Sequence, residues 1–352
     1  MTVLFSGGGT LGHIYPALSL IKEYKRKYHN NRIIFICTPK DKVYMEKIKT
    51  DCVDNIYYIN SKGFCKNPFI LLKRVILNIV AFCKIIKIIK KEDVKIVVGM
   101  GGYISTITLL AAKIKKIKTI IHEQNSIMGL GNKIIEKHVD KVLLTFDITK
   151  TKNTNQYIVG NPRYYDALYL DKNIYRSKYS ILITSGTLGS KKINDIAVEF
   201  LNSEYSKKFT TTLVTGKRYY NEVINKLNPG SHYEVLGFSE HMLDLINKSG
   251  IVISRSGSTS MHEILAMGCP AIYIPSPNVT KNHQYYNAIS FTNKSLSLLL
   301  EEKELTLQSL TSKINELVNN YADYVNNINI YKSTIEKYDV VDLINDTVIH
   351  NE

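Results

Sequence analysis

The chain has 352 residues, more than a single hydrophobic core usually spans, so two domains are expected. Apolar residues make up 44% and charged residues 22%, a globular balance that excludes a mostly disordered chain. Lys plus Arg is 46 against 31 Asp plus Glu, and the net charge of +15 favours nucleic acid, anionic lipid or phosphorylated substrates without choosing among them. The apolar runs are interrupted by Lys and Arg, so no transmembrane span is expected. The start, MTVLFSGGG, has no basic and apolar leader pattern, so no secretory signal is expected. Five scattered cysteines without a CxxC pair indicate neither a disulfide framework nor a zinc ribbon, and the cytosol is the expected compartment.

Short apolar runs at 3–6, 33–37, 96–98, 119–121 and 142–144 read as buried strands. Stretches of helical length at 14–27, 69–91 and 104–115 lie between them. The pattern then restarts, with strands expected at 181–184, 211–214, 233–236, 251–254 and 271–274. Helices are expected at 193–202, 219–226, 242–246 and 260–267, and after about residue 295 only polar helix without strands. Strand–helix alternation implies parallel sheets covered by helices. The expected fold is therefore α/β, with two Rossmann-like parallel-sheet domains, 1–160 and 161–335, facing a cleft, and a helical tail at 336–352. Gly160-Asn161-Pro162 supplies turn chemistry at the joint.

In such sheets ligands sit at the carboxyl ends of the strands. The first strand runs into Gly7-Gly8-Gly9-Thr10-Leu11-Gly12-His13 and a helix. Glycines let the backbone approach an anion at a helix N-terminus. The spacing satisfies GxGxxG, but the second strand ends Cys37-Thr38-Pro39 without the acid a dinucleotide site wants. His13 at the helix start reads as a capping or satisfied core residue when taken alone, with a general base as the functional alternative. The second half repeats the device in Gly186-Thr187-Leu188-Gly189-Ser190, which suggests two related domains.

A third loop, Arg255-Ser256-Gly257-Ser258-Thr259-Ser260-Met261-His262-Glu263, gathers hydroxyls and N–H groups at a helix start, a phosphate cradle in physical terms. Glu263 can accept from two ribose hydroxyls, or Ser260 and Glu263 can form a capping box. Gln284 and Asn287, expected on a loop, suit sugar hydroxyls. In the first half, Gly99-Met100-Gly101-Gly102-Tyr103 and His122-Glu123-Gln124-Asn125-Ser126 each follow a strand. His122-Glu123 does not open an HExxH site, and no Asp-x-Asp pair offers a carboxylate clamp for a metal.

These segments together resemble glycosyltransferase family 28, GT-B enzymes that include the N-acetylglucosaminyltransferases of peptidoglycan synthesis. The resemblance is carried by GGGTLGHIYPAL (7–18), GMGGYIS (99–105), HEQNSIMGLGNK (122–133), GNP (160–162), RSGSTSMHE (255–263), GCPAIYIPSP (268–277) and NHQYYNA (282–288). It implies transfer of GlcNAc from UDP-GlcNAc to the C4 hydroxyl of the MurNAc in the undecaprenyl-diphosphate intermediate lipid I, by inverting single displacement, for cell-wall biogenesis. It further implies that Ser258, Thr259 and Ser260 meet the diphosphate, Glu263 the ribose and Gln284 the sugar, with Asn287 nearby. Thr187 stands where the family has a loop Ser, and Phe238 with Met242 lies near the uracil. Thr10, Leu11 and Gly12 face the diphosphates, His13 activates the acceptor hydroxyl, and Asn125 lines the donor or acceptor site. No cofactor or essential metal is implied.

The chain departs from the family pattern in three places. Leu11 replaces the second Gly of GGTGGH, Ser185-Gly186-Thr187 replaces GGS, and the family's GNPVR reads Gly160-Asn161-Pro162-Arg163-Tyr164, so the Arg carried to Arg163 has either moved one place or been replaced. Lipid I lies in the inner leaflet, which implies an anionic membrane surface as partner and a peripheral place on the cytoplasmic face; other cell-wall synthesis proteins are further expected partners. The 69–91 stretch reads as a basic amphipathic helix with Lys73, Lys84, Lys87 and Lys91 on one side. Phe69, Ile70, Leu71, Leu72, Lys73 and Arg74 are the expected membrane contacts; the same helix would also serve as an ordinary crossover. Competing readings are a diacylglycerol glycosyltransferase, a UDP-GlcNAc 2-epimerase-like enzyme and a non-catalytic scaffold. No nucleic-acid-reading motif accompanies the charge.

Overall fold

The computed structural model describes residues 1–47, 51–63, 65, 67–170, 176–186 and 188–349. The chain divides into two units, the first formed by Met1–Tyr165 with Ile335–Glu352 and the second by Asp166–Thr334.

The first unit is a seven-stranded parallel sheet. Its strands are β1 (Thr2–Ser6), β2 (Arg32–Cys37), β3 (Asn55–Tyr58), β4 (Val94–Gly99), β5 (Lys118–Glu123), β6 (Lys141–Leu144) and β7 (Gln156–Ile158), in the order β3-β2-β1-β4-β5-β6-β7. Strand side chains alternate between the two faces. Val3, Phe5, Ile33, Phe35, Ile96 and Val98 pack under the helix Leu11–Lys27. Leu4, Ile34, Ile36, Val97 and Ile121 pack under the helices Pro68–Lys91 and Tyr103–Ile114. With both faces covered, β1 is buried along its whole length, which explains its unbroken apolar run.

The second unit is a six-stranded parallel sheet of β8 (Ser180–Thr184), β9 (Thr210–Val214), β10 (Tyr233–Leu236), β11 (Ile251–Ser254), β12 (Ala271–Tyr273) and β13 (Ser297–Leu299), ordered β10-β9-β8-β11-β12-β13. Its core joins Ile181, Ile183, Ile251, Ile253 and Ile272 to Ile193 and Phe200 of the helix Lys191–Leu201 and to Leu310, Ile314 and Leu317 of the helix Leu307–Asn319.

Strand order reverses between β1 and β4 and again between β8 and β11. Those switch points place the loops after β1 and β4, and after β8 and β11, side by side within each unit. The glycine-rich segments occupy these loops.

Several expectations are corrected. β3, β7 and β13 were not anticipated, the last within the region expected to hold no strands. β3 and β7 are short and incompletely buried, so their sequences lack a clear apolar run. Gln284 and Asn287 lie on the helix His283–Thr292 and not on a loop. The helix expected at 219–226 is a 3-10 turn, Lys217–Tyr219, followed by the short helix Tyr220–Ile224. The C-terminal helix Val340–Ile349 places Val340, Val341 and Ile344 in the first unit's core. Among the described residues no helix is long and apolar enough to cross a membrane.

Candidate active site

In the first unit, the backbone after β1 turns through Gly9 at φ +87 and enters the helix Leu11–Lys27. An acid does lie near the end of β2. Asp41 is buried, and its carboxylate accepts from the Gly9 N–H at 3.1 Å, the Thr38 N–H at 2.9 Å and the Thr38 hydroxyl at 2.7 Å. It pins the glycine loop from beneath instead of reaching for a ribose. Gly8 is demanded by this packing, since a Cβ there would lie 2.4 Å from Asp41 Oδ2. Gly12 is not: its Cβ would meet only Thr10 Oγ1, at 3.7 Å. A helical glycine costs about 0.5–1 kcal/mol relative to alanine, and no packing among the described residues offsets that cost here. Thr10 is the extended N-cap residue, exposed and making no side-chain cap bond, and Leu11 is half-buried. Thr10, Leu11 and Gly12 thus present the positive end of a helix.

His13 follows in the same turn. Its Nδ1 lies 3.1 Å from Gln124 Oε1, and Gln124 Nε2 donates to the Met100 carbonyl at 2.8 Å. The ring keeps partial exposure, yet protein atoms crowd it, and this burial pushes its pKa below the ordinary value against the opposing Gln124 hydrogen bond and Asp41 charge. Its position in the first helical turn also disfavours an imidazolium. His13 is therefore a neutral imidazole at neutral pH, the form a general base requires.

At the carboxyl end of β5, Glu123 is buried and accepts from the Asn125 N–H at 3.0 Å, the Gly129 N–H at 2.9 Å and Asn132 Nδ2 at 2.9 Å. Burial pushes its carboxyl pKa up while these donors hold it down. Glu123 staples the loop that carries the half-buried Asn125. Arg163 opens the helix Arg163–Leu168 and places its guanidinium 5.6 Å from the Tyr15 ring, on the helix that carries His13. It belongs to the first unit.

In the second unit, β11 leads through Arg255-Ser256-Gly257 into the helix Ser258–Met267. The helix begins two residues before Ser260 with Gly257 as N-cap, so the Ser260–Glu263 capping box does not form. Thr259 and Ser260 are half-buried in the first turn, and Ser258 and Glu263 are buried. Gly257 has an ordinary φ of −68, and a Cβ there would meet nothing within 4 Å among the described residues. As at Gly12, the fold does not ask for the glycine.

Side chains fix this loop from two sides. Arg255 donates to the carbonyls of Ile274 and Pro275 at 3.0 Å and to Ser190 Oγ at 2.7 Å, and pairs with Glu302. Ser256 Oγ donates to the Gln284 carbonyl at 2.8 Å, and the buried Asn287 donates to the Ser256 carbonyl at 3.2 Å. Asn287 thereby positions the loop. Gln284 Oε1 accepts the Ser276 N–H at 2.9 Å, so its amide N–H2 is the end available for a ligand. Phe238 follows β10 and is 41% exposed, with Lys217 Nζ 4.8 Å from its ring centre. Thr187 lies outside the described residues.

On the first unit's surface, Asn67 caps the helix Pro68–Lys91 by accepting from the N–H groups of Phe69 and Ile70. Phe69 is 80% exposed and Leu72 62%; Ile70 and Lys73 are also exposed, and Leu71 is half-buried. Arg74 turns back to donate to the Gly63 carbonyl at 2.7 Å. The exposed apolar face continues through Val75, Ile76 and Ile79 to Leu110 and Ile134 on neighbouring helices, around a groove of about 300 Å³. This continuation was missed in the sequence, because it joins three helices far apart in the chain. Asp41 was also missed, though Thr38-x-x-Asp41 is a legible capping pattern.

Glycosyltransferase family 28 N-terminal domain matches residues 3–144, and glycosyltransferase family 28 C-terminal domain matches residues 180–343. The UDP-N-acetylglucosamine–N-acetylmuramyl-(pentapeptide) pyrophosphoryl-undecaprenol N-acetylglucosamine transferase of Lactobacillus johnsonii is 35% identical, over 92% of each chain. The Clostridioides difficile protein of the same name is 34% identical, over 99% of this chain and 88% of its own. The crystal structure of Acinetobacter baumannii MurG superposes with a TM-score of 0.80 at 21% identity, covering 98% of this chain and 99% of that one.

Proposed function

Because the chain belongs to glycosyltransferase family 28, we propose that it transfers GlcNAc from UDP-GlcNAc to the C4 hydroxyl of MurNAc in undecaprenyl-diphospho-MurNAc-pentapeptide. The product is the disaccharide lipid of peptidoglycan synthesis, lipid II. The observation that carries this reading is identity of 34–35% over nearly the whole chain to relatives bearing that activity in their names.

The chemistry is a single displacement. The acceptor O4 attacks the anomeric carbon, the O4–C1 bond forms as the bond from C1 to the phosphate oxygen breaks, and UDP leaves with the electron pair. His13 takes the O4 proton. The second unit holds the donor: N–H groups and hydroxyls at Ser258–Ser260 meet the diphosphate, Glu263 the ribose, and the Gln284 amide the sugar. Fixed N–H dipoles are aimed where negative charge develops, and they need no reorganisation during reaction. In this reading they stabilise the leaving diphosphate without an added divalent cation.

The exposed apolar face of the first unit, with Lys73, Lys84 and Lys87 exposed on the same helix, suits docking to an anionic leaflet. The enzyme then works as a peripheral protein on the cytoplasmic face.

The test is transfer of labelled GlcNAc from UDP-GlcNAc to a lipid I analogue, in EDTA, with diacylglycerol as parallel acceptor. Transfer to the analogue that persists in EDTA is the expected result. Transfer to diacylglycerol alone, or UDP-GlcNAc turnover without any acceptor, overturns the assignment.

A further inference from the structure

We propose that Gln124 is a positioning residue that fixes the His13 tautomer, placing the ring proton on Nδ1 and leaving the lone pair on Nε2 to receive the acceptor proton. The proposal rests on the assignment of His13 as base.

The argument is one of hydrogen-bond polarity. A backbone carbonyl only accepts. The Met100 carbonyl lies 2.8 Å from one end of the Gln124 amide, so that end is the N–H2 and the other is the oxygen. The oxygen faces His13 Nδ1 at 3.1 Å and accepts there, so Nδ1 carries the hydrogen. The neutral ring has one proton, and Nε2 is left as the acceptor.

A second carbonyl sets the same polarity from the far side. His122 is fully buried, and its Nε2 lies 3.1 Å from the Gly160 carbonyl, so Nε2 carries the His122 proton. His122 Nδ1 then accepts from Gln124 Nε2, 3.3 Å away. Two carbonyls, one on each side, thus orient an ordered chain from His122 through Gln124 to His13. Gln124 is itself 3% exposed and held at both ends of its amide.

Gln124 does this without charge. A carboxylate at the same place would fix the same tautomer and also stabilise the imidazolium. Asp41 is the acidic group that acts on His13, and its carboxylate is occupied by Gly9 and Thr38. An amide partner therefore aligns the base while leaving it weakly basic, suited to a proton that passes to it only as the displacement proceeds.

Nitrogen NMR of the full chain labelled in histidine reads the tautomer directly, with the His13 signals assigned by their loss in His13→Ala. Above its titration, His13 is expected as the Nδ1–H form; an Nε2–H form overturns the proposal and requires no Gln124 variant. Gln124→Met is expected to lower kcat by about 10- to 100-fold with the KM for UDP-GlcNAc little changed. Gln124→Glu keeps an acceptor for Nδ1–H but loses the donor to the Met100 carbonyl, so turnover falls, while the new charge stabilises the imidazolium and the acid limb of the rate profile moves up by about one unit or more. A merely structural role would depress both variants alike and leave the limb in place. Unchanged kcat in Gln124→Met, with loss in His13→Ala, overturns the role of Gln124 alone. Full turnover in His13→Ala overturns the base assignment and with it the catalytic purpose of Gln124.

Discussion

A Cβ on residue 101 would lie 2.6 Å from Nδ1 of His13 and 2.7 Å from its Cε1, so any side chain at Gly101 and the present His13 ring exclude each other. Gly101 also sits at φ +102, where other residues are strained. Gly101→Ala is therefore expected to displace the ring and lower kcat at least about tenfold, a misplacement penalty of the usual order. UDP-GlcNAc affinity, measured by calorimetry, should hold.

Burial lowers the His13 pKa, and a base must be unprotonated to accept. The acid limb of kcat/KM is accordingly expected below the ordinary histidine value of about 6.5. His13→Ala should lower turnover by about 10²- to 10⁴-fold and abolish that limb while leaving UDP-GlcNAc binding nearly intact. A limb unchanged in the variant would assign the titration to another group.

A methyl added at Gly12 or Gly257 would meet almost nothing among the described residues. Gly257→Ala, at a backbone angle alanine adopts freely, should raise stability by about 0.4–1 kcal/mol through the unfolded chain. Gly12→Ala should do the same through helix propensity. Both should weaken UDP-GlcNAc binding, because the methyl takes up space in the loop. Urea midpoints and calorimetric affinities that move in opposite directions are the expected signature.

Glu263→Ala is expected to weaken UDP and UDP-GlcNAc alike, as loss of a ribose contact should. Gln284→Ala removes an amide whose oxygen also holds the Ser276 N–H. It should lower affinity for UDP-GlcNAc more than for UDP, and equal losses would contradict the sugar contact.

The apolar face on the first unit predicts a separation of functions. Replacing Phe69, Leu72, Ile79 and Leu110 together by Ser should strongly reduce binding to anionic vesicles, since all four are exposed. Turnover with a soluble acceptor analogue should be unaffected. Retained vesicle binding would place the docking surface elsewhere.

The strands legible in the sequence were those buried on both sides, such as β1, β4 and β11, whose apolar runs have no other explanation. β7 and β13 have three residues each and take their identity from a neighbour already in place, so local pattern could not reveal them. The site was legible where glycine and hydroxyl residues cluster beside a strand end, as at 7–13 and 255–263. What sequence could not convey is which member of a polar run does what. Within His122-Glu123-Gln124-Asn125, four adjacent polar residues divide into two hydrogen-bond networks: Glu123 staples its own loop, while His122 bonds Gln124 and Gln124 bonds His13. That division follows from strand alternation combined with partners more than a hundred residues away.

The helix Val340–Ile349 adds Val340, Val341 and Ile344 to a core built mainly from the first 165 residues, and Lys27 lies 2.7 Å from both Asp339 and Asp342. Ribosomal synthesis delivers these residues only after the whole of 166–334 has emerged. The unit begun first is therefore finished last. During translation the second unit has every one of its residues before the first does, and a nascent chain halted at 334 carries an incompletely covered sheet face, the kind of transient apolar surface that chaperones recognise.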